Sequence, residues 1–406
     1  MFDSSSIIVG LEIGTSKVCA VVGELNEGAA PNIIGVGQAG SRGVRKGEII
    51  DPRVVEEDVR HAIVEAEQMA DVEIRSVYLG VSGGHIRGFN NRGMHPVVSA
   101  DREITQEDVA DVVKNAKAIN LPQEHTVLHA IRQDFFVDGH KGVKSPVGML
   151  GARLEVDVHV VHGHLNRLQN AIRVVRGIQL EVEEVVFNGL ATSLAVLTPT
   201  QKTLGALVID LGAGTTNYAV YYQGVIRHTG VLAVGGDHVT NDLAYGLKVP
   251  QGRAEQLKID HGHAVMTAAD EDQKIELKSG HGLPASHVNL SHLRRIMSLR
   301  LEEIFELIAQ DLMQLDLFEC LRAGVVLTGG GARIRGITQL AEQVLGLPVV
   351  VGNITGASSL KSSIDQPEFA TGIGLAYFGS LKSRREAPRF SLLGGIKQVW
   401  GKLLPR

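Results

Sequence analysis

Two stretches of this chain, half its length apart, are copies of one another. "IIVGLEIGTSKVCAVVG" lies over "GALVIDLGAGTTNYAVYY" with a constant offset of 198, which pairs Glu12 with Asp210, Ile13 with Leu211 and Gly14 with Gly212. Each copy is an apolar run ending in a carboxylate, then a tight turn of Gly, Ala, Ser and Thr, then a second run rich in β-branched and aromatic residues. That order predicts strand, turn, strand, built twice.

The pattern sets the loop apart from the commoner phosphate cradles, because both GxxxxGK[ST] and the dinucleotide fingerprint lead straight into a helix. No GxxxxGK[ST] occurs in the sequence. A third glycine cluster, "VVLTGGGARIRG", runs from a strand into a predicted helix at Ile337 to Leu345, but Ile334 stands where a GxGxxG starting at Gly329 needs glycine. Phosphate remains the natural ligand class. Glycines let backbone N–H groups converge on an anion with no Cβ in the way, and Ser and Thr hydroxyls add donors. A carboxylate just before each turn suits hydrated Mg²⁺, which keeps its waters and takes one or two protein oxygens.

With 406 residues, 44% hydrophobic and 21% charged, the chain has material for two to three domains with substantial cores. Cys19 and Cys320 lack metal-type spacing, and "MFDSSSIIVG" lacks the basic and apolar regions of a signal peptide, so a reducing cytoplasm is expected. No apolar run approaches the ~18 to 20 residues that cross a bilayer. The net charge of −5 is unevenly placed: residues 382–406 carry seven basic residues and one acid, a local +6 that leaves −11 on the rest. An acidic body with a basic, apolar tail argues against general nucleic-acid affinity and for a local contact of the tail with something anionic.

Together these motifs resemble the actin, Hsp70 and sugar-kinase ATPase family, in which two similar α/β domains face each other across a nucleotide cleft. "LEIGTSK" is similar to the first phosphate loop of that family and "VIDLGAGTTNYAV" to the second. "VEEVVFNGLATSLAVL" resembles its first connecting helix, "LTGGGARI" its adenosine loop and "PEFATGIGLAYF" its second connecting helix. Within it, "LGVSGGHIRGFNNRGMHPV", "GGDHVTNDLA" and the apolar C-terminal tail resemble the FtsA family of bacterial cell division. The fold expected is therefore α/β, actin-like and two-domain, with a nucleotide cleft, an inserted 1C subdomain and a C-terminal amphipathic helix.

The resemblance implies subdomain 1A at residues 1–84 and 164–200, with 1C inserted at 85–163. It places subdomain 2A at 201–236 and, with the return to 1A, at 301–381, and subdomain 2B at 237–300. A linker (382–389) and a membrane-targeting helix (390–406) follow. The residues support the insertion independently: Thr105 with Asp108 starts a helical "VADVVKNAKAI", and "LEVDVHV" alternates Leu154, Val156, Val158 and Val160 against Glu155, Asp157 and a solvated His159.

Carried over by motif, ATP would be held by Gly14, Thr15, Ser16 and Lys17 on one side and Gly212, Ala213, Gly214, Thr215 and Thr216 on the other. Glu255 and Lys258 would meet ribose and adenine, with Gly329, Gly330, Gly331 and Arg333 lining the base. Asp210 and Glu12 would hold Mg²⁺ through water, Glu12 being one methylene longer than the family's Asp. Asn188 falls where relatives of the fold place the Glu that positions the attacking water. Asn can orient a water but cannot take its proton, so at most a slow ATPase is expected.

The resemblance further implies self-assembly into a polymer on the inner face of the cytoplasmic membrane at the division septum. It implies anchoring of FtsZ through the FtsZ C-terminal tail, with Arg294, Arg295 and Arg300 as candidates for that contact, and recruitment of later division proteins through residues 85–163. The arginines lie off the apolar stripe Met297, Leu301, Ile304, Phe305, Ile308, Leu312 and Leu315, which reads as core, and an ordinary solvated face explains them equally well. His159, His162 and His164 lack the Cys or carboxylate that would complete a metal site. The competing classes are a metabolite kinase and an Hsp70-like ATPase of the same fold. A kinase needs a catalytic carboxylate beside a sugar pocket, which no motif supplies, and a chaperone needs a peptide-binding domain where only about 25 residues remain.

The tail separates these readings. On a helical wheel, Leu392, Leu393, Ile396, Val399, Trp400, Leu403 and Leu404 fall within an arc of about 140°, with Lys397 and Lys402 at its margins. That is the design of a helix lying in a membrane surface. A tail docked on its own domain would explain the apolar face but not the basic margins.

Overall fold

A computed structural model describes residues 7–25, 30–266, 273–277, 286–354 and 365–386. The first body opens on the expected hairpin, β1 (Ile7–Ile13) antiparallel to β2 (Lys17–Glu24), and β3 (Asn32–Gly40) extends it. A small pair, β4 (Val44–Arg45) and β5 (Glu48–Ile49), leads to α1 (Pro52–Ala70). Asp51 starts that helix by accepting from the N–H groups of Arg53 and Val54, and Pro52 sits in its first turn. Helix α1 lies directly on β3 because Gly37 has no side chain; a Cβ there would strike the Ala62 backbone. Strand β6 (Ser76–Val81) then runs parallel to β1.

The chain next leaves this sheet to build an insertion with its own core. Strand β7 (Arg87–Pro96), α2 (Gln106–Lys117), β8 (His125–Val137), β9 (His140–Val143) and β10 (Arg153–His164) give a four-stranded sheet in the order β7-β10-β8-β9. Helix α2 begins where the sequence predicts, with Thr105 and Asp108 capping each other. Leu154, Val156, Val158 and Val160 are buried with Phe135 and Ile104.

Returning to the first body, α3 (Leu165–Gly177) precedes β11 (Glu181–Phe187), which completes the sheet β11-β6-β1-β2-β3. Helices α4 (Asn188–Val196) and α5 (Pro199–Leu204) lead into the second body. There β12 (Ala206–Leu211), β13 (Thr216–Tyr222) and β14 (Val225–Leu232) repeat the antiparallel triplet, followed by α6 (Gly236–Leu247) and α7 (Gln251–His261). A pair β15 (Lys274–Leu277) and β16 (Ser286–Asn289) precedes the long α8 (Leu290–Gln314). Strand β17 (Val325–Thr328), α9 (Ile337–Leu345) and β18 (Val349–Val351) add two parallel strands, giving β14-β13-β12-β17-β18. Both five-stranded sheets thus place the first strand of an antiparallel triplet at the centre, with the other two strands of the triplet on one side and two parallel strands on the other.

Helix α10 (Ala370–Glu386) closes the described chain and returns to the first body. It packs on α4, where Gly374 lets its backbone meet that of Ala191. It runs through Glu386, so the first part of the stretch expected as linker is helical. Among the described residues, no helix is long and apolar enough to cross a membrane. Residues 390–406 lie outside the described residues.

Two sequence readings are corrected. His159 is not on a solvated face: it is fully buried, because the second face of β10 is covered by β14 of the other body. Its Nδ1 meets Asn90 Oδ1 at 2.7 Å and its Nε2 meets Thr229 Oγ1 at 2.8 Å. Around it Asn90 Nδ2 donates to the Arg227 carbonyl (3.0 Å), Gln133 Nε2 donates to the Ile226 carbonyl (2.6 Å), and Arg227 pairs with Asp134 at 2.7 Å. The α8 stripe from Met297 to Leu312 is buried as expected, but Leu315 is 46% exposed, because the helix stops at Gln314 and the stripe ends with it.

Candidate functional site

The duplicated hairpins carry the same turn. The Gly14 N–H donates to the Lys17 carbonyl at 2.9 Å, and the Gly212 N–H to the Thr215 carbonyl at 3.0 Å. The two turns meet across the bodies: a Cβ on Gly214 would fall on Thr15 Oγ1. Further ties are Ser82 Oγ to Thr215 Oγ1 (3.1 Å) and to Asn217 Oδ1 (2.6 Å). Thr216 is fully buried, its hydroxyl donating to the Val234 carbonyl at 2.8 Å.

Just before the turns, Glu12 and Asp210 form an acidic pair with one compensating cation. Lys17 Nζ reaches Glu12 Oε2 at 3.3 Å and lies over the Phe369 ring, 5.4 Å from its centre. Burial pulls the Lys17 ammonium down, but attraction to Glu12 and Asp210 outweighs it and holds its pKa above the usual lysine range. Asp210 is pushed up to about 7, first by burial and then by Glu12, against the donors Asn217 and Thr371 and the charge of Lys17. Asn217 Nδ2 donates to Asp210 Oδ2 at 3.1 Å and Thr371 Oγ1 lies 3.4 Å from it. Two carboxylates sharing one ammonium leave surplus negative charge, an environment that fits a divalent cation.

The rest of the candidate set gathers around the second turn. The N–H groups of Gly236 and Asp237 donate to the Gly212 and Ala213 carbonyls at 2.9 and 2.8 Å, seating the start of α6 on that turn. Lys258 on α7 then reaches Thr240 Oγ1 (2.8 Å) and pairs with Glu255 at 2.6 Å. Gly329 holds φ 82°, and a Cβ there would fall on the Asp210 carboxylate; one on Gly331 would strike the Leu211 side chain. One on Gly330 would meet nothing within 4 Å. The glycine cluster is therefore a tight floor with one open position. Arg333 is 60% exposed in its side chain and pairs with Glu368.

Asn188 begins α4 and is 4% exposed, with a buried Oδ1 that has no hydrogen-bond partner. A Cβ on Gly80 would lie 2.6 Å from that atom. Ser16 lies at the first turn, its carbonyl accepting from the Ser41 N–H at 3.1 Å. The three candidate arginines lie apart from the turns on α8. Arg300 pairs with Asp242 at 2.6 Å and with Glu303, Arg294 Nε donates to the His261 carbonyl at 3.3 Å, and Arg295 is exposed. Among the described residues, no group of three or more His, Cys, Asp or Glu side chains forms a metal cluster.

Sequence reasoning missed Ser82, Asn217, Phe369 and Thr371, which surround the carboxylate pair. Asn217 was within reach, since β13 faces β12 in the predicted hairpin and Asn217 stands opposite Asp210. The other three arrive from distant segments and carry no local signal.

Two bodies with one repeated sheet topology, turn meeting turn, and a pair of crossing helices between them define the actin-like class. Solved structures agree: the PilM-PilN type IV pilus biogenesis complex aligns at TM-score 0.64 with 18% identity, covering 92% of this chain and 98% of that one. MreB5 of Spiroplasma citri bound to ADP aligns at 0.57 with 16% identity, covering 95% and 100%. Residues 207–374 match the family model described as "Cell division protein FtsA", and residues 83–162 match "SHS2 domain inserted in FTSA". The chain is 39% identical over 380 residues to the Escherichia coli K12 cell division protein FtsA, covering 92% of this chain and 90% of that one. It is 37% identical over 379 residues to that of Pseudomonas aeruginosa, covering 93% and 90%. The chain belongs to the FtsA family of cell division proteins.

Proposed function

We propose that this family member binds ATP and Mg²⁺ between its two bodies, polymerises, and links FtsZ filaments to the inner face of the cytoplasmic membrane at the septum. The observation that carries the nucleotide reading is the meeting of the two glycine turns beside the buried Glu12 and Asp210 pair, with its surplus negative charge. Solved MreB5 structures of the same fold contain ADP and AMPPNP, which supports it. Thr15, Ser16 and Lys17, and Ala213, Gly214 and Thr215, would present donors to the phosphates, while Gly14, Gly212 and Thr216 hold the two turns in shape through the Lys17, Thr215 and Val234 carbonyls. Glu255 and Lys258 would take the ribose side, and Gly329 to Gly331 with Arg333 the base side, where Gly330 leaves open space. Asp210 and Glu12 would hold Mg²⁺ through water, and the metal would supply positive charge to offset the carboxylates and the phosphates. Asn188 would orient a water through Oδ1 without accepting its proton. Nucleotide therefore serves mainly as a structural ligand that favours the polymer-competent state.

The tail supplies the membrane part of the reading. Seven apolar side chains half-buried in a bilayer surface give on the order of 5 to 8 kcal/mol before ordering costs, and each nearby Lys or Arg adds roughly 1 kcal/mol over anionic lipid. One tail is a reversible anchor, and a row of subunits holds by multivalency. FtsZ-tail recognition is assigned to Arg294, Arg295 and Arg300, and later division proteins to residues 85–163. Arg295, exposed, is the best placed of the three; Arg300 would have to leave Asp242.

Vesicle co-sedimentation tests the anchor with the intact chain, a truncation after Ala387 and Trp400→Glu, on anionic and neutral lipid. The intact chain is expected to sediment with anionic vesicles and the two variants to stay in solution. Equal sedimentation of all three would sink the reading.

A further inference from the structure

The connection between β4 and β5, Lys46 and Gly47, is wedged between the two glycine turns. The Gly47 N–H donates to Thr15 Oγ1 at 3.0 Å, tying the tip to the first turn. On the other side, a Cβ on Gly214 would lie 2.9 Å from both the Lys46 nitrogen and its Cα, and a Cβ on Gly47 would lie 3.1 Å from Thr215 Cγ2. Lys46 has φ 52° and Gly47 φ 77°, two left-handed residues in succession. Asn-Gly or Asp-Gly is the usual occupant of such a tip, and Lys46-Gly47 adopts it in the same way as Gln223-Gly224 between β13 and β14.

Charge distinguishes this lysine from the other cations around the turns. Lys17 is already paired with Glu12, Lys258 with Glu255, and Arg333 with Glu368. Lys46 is exposed, and among the described residues no carboxylate lies within ion-pair distance of it. Its charge nevertheless bears on the second body: His238, in the first turn of α6, is held below the usual histidine range by burial and then by Lys46. The site already holds more carboxylate than ammonium, so a triphosphate entering it would need a further cation from nearby.

We propose that Lys46 is a phosphate-contacting residue of the cleft, reaching the terminal phosphate of a nucleoside triphosphate from the β4-β5 tip and thereby setting preference for tri- over diphosphate. This rests on the nucleotide reading given above. The left-handed backbone aims the tip between the turns, and the unpaired ammonium supplies a charge-assisted hydrogen bond. Because Glu48 follows directly and pairs with Arg167 on α3, the contact is also linked to the helix that leaves the insertion.

The test is titration calorimetry of the full chain with Mg-ATP and Mg-ADP, for the unsubstituted protein, Lys46→Asn and Lys46→Arg. Asn tolerates the left-handed backbone, so the fold is kept while the charge is removed; thermal melting checks this. Lys46→Asn is expected to weaken ATP about tenfold and ADP less than twofold, with Lys46→Arg close to the unsubstituted protein. Amide exchange at residues 44–49 is expected to slow with ATP and not with ADP. Equal weakening of both nucleotides, or of neither, overturns the role of Lys46 while leaving the cleft intact. An unsubstituted chain that binds neither nucleotide overturns the cleft reading, and the Lys46 assignment with it.

Discussion

At the scale of single residues, Gly329 and Gly330 are neighbours under opposite demands. Gly329 has a left-handed φ and no room for a Cβ beside Asp210, whereas Gly330 faces open space. Gly329→Ala is expected to cost about 2 kcal/mol in urea unfolding, and Gly330→Ala less than about 0.5 kcal/mol. Equal costs would refute the geometry. Asn188 leads to a kinetic expectation, because an amide cannot act as the base that Glu provides: phosphate release by the purified protein should run below about one per second. The sequence made the carboxylates and turn glycines legible through the repeat, since residues that bind a common ligand type keep their spacing in both copies. It could not reveal Ser82, Phe369 or Thr371, whose place around the carboxylate pair is set by segments at least 70 residues from either carboxylate in the chain. The pairing of Lys17 with Glu12 was hidden for another reason: the notion of a lysine reaching toward phosphate ignores the carboxylate that stands across the same hairpin turn.

At the scale of elements, the duplicated hairpin gives a matched pair of predictions. A Cβ at Gly14 would lie 2.8 Å from the Lys17 carbonyl oxygen, and one at Gly212 would lie 2.9 Å from that of Thr215. Gly14→Ala and Gly212→Ala should therefore destabilise by similar amounts, about 1 to 2 kcal/mol each. A gap wider than about 1 kcal/mol between their urea midpoints would show that the turns are not equivalent. Elements with strong local signals were legible: α2 through its Thr105 and Asp108 cap, α9 from Ile337 to Leu345, and the buried stripe of α8. Helix α4 is only the second half of the segment expected to be helical, since Glu181–Phe187 is a strand of the first sheet. Strand β10 followed its alternation only where one face met solvent. At His159 both faces are covered, and periodicity carries no information about a partner sheet supplied by the other body.

On the scale of the whole molecule, buried histidines make the junction of the insertion sensitive to acid. His129 accepts from the Phe187 N–H through Nε2 at 3.0 Å and is lowered to about 4 by burial. His159, against Thr229, is lowered to about 3 by burial first and then by His228 and His129. Both folded pKa values lie below the unfolded value near 6.5, so the stability they contribute is present above pH 6.5 and is lost as pH falls toward 3 to 4. Each costs about 1.4 kcal/mol per pH unit in that window. Urea unfolding at pH 5.5 should thus show about 2 to 3 kcal/mol less stability than at pH 7.5, and His159→Gln should flatten the slope by about half. An unchanged slope would remove His159 from the account. The network that buries His159 has a second consequence. Strand β14 is the last of its sheet, and the Asn90 and Gln133 amides occupy carbonyls along it that would otherwise be free to pair with another chain. The insertion is therefore a guard against sheet-to-sheet association as well as a module of its own, and a protein shortened by its removal would expose a ready template for aggregation.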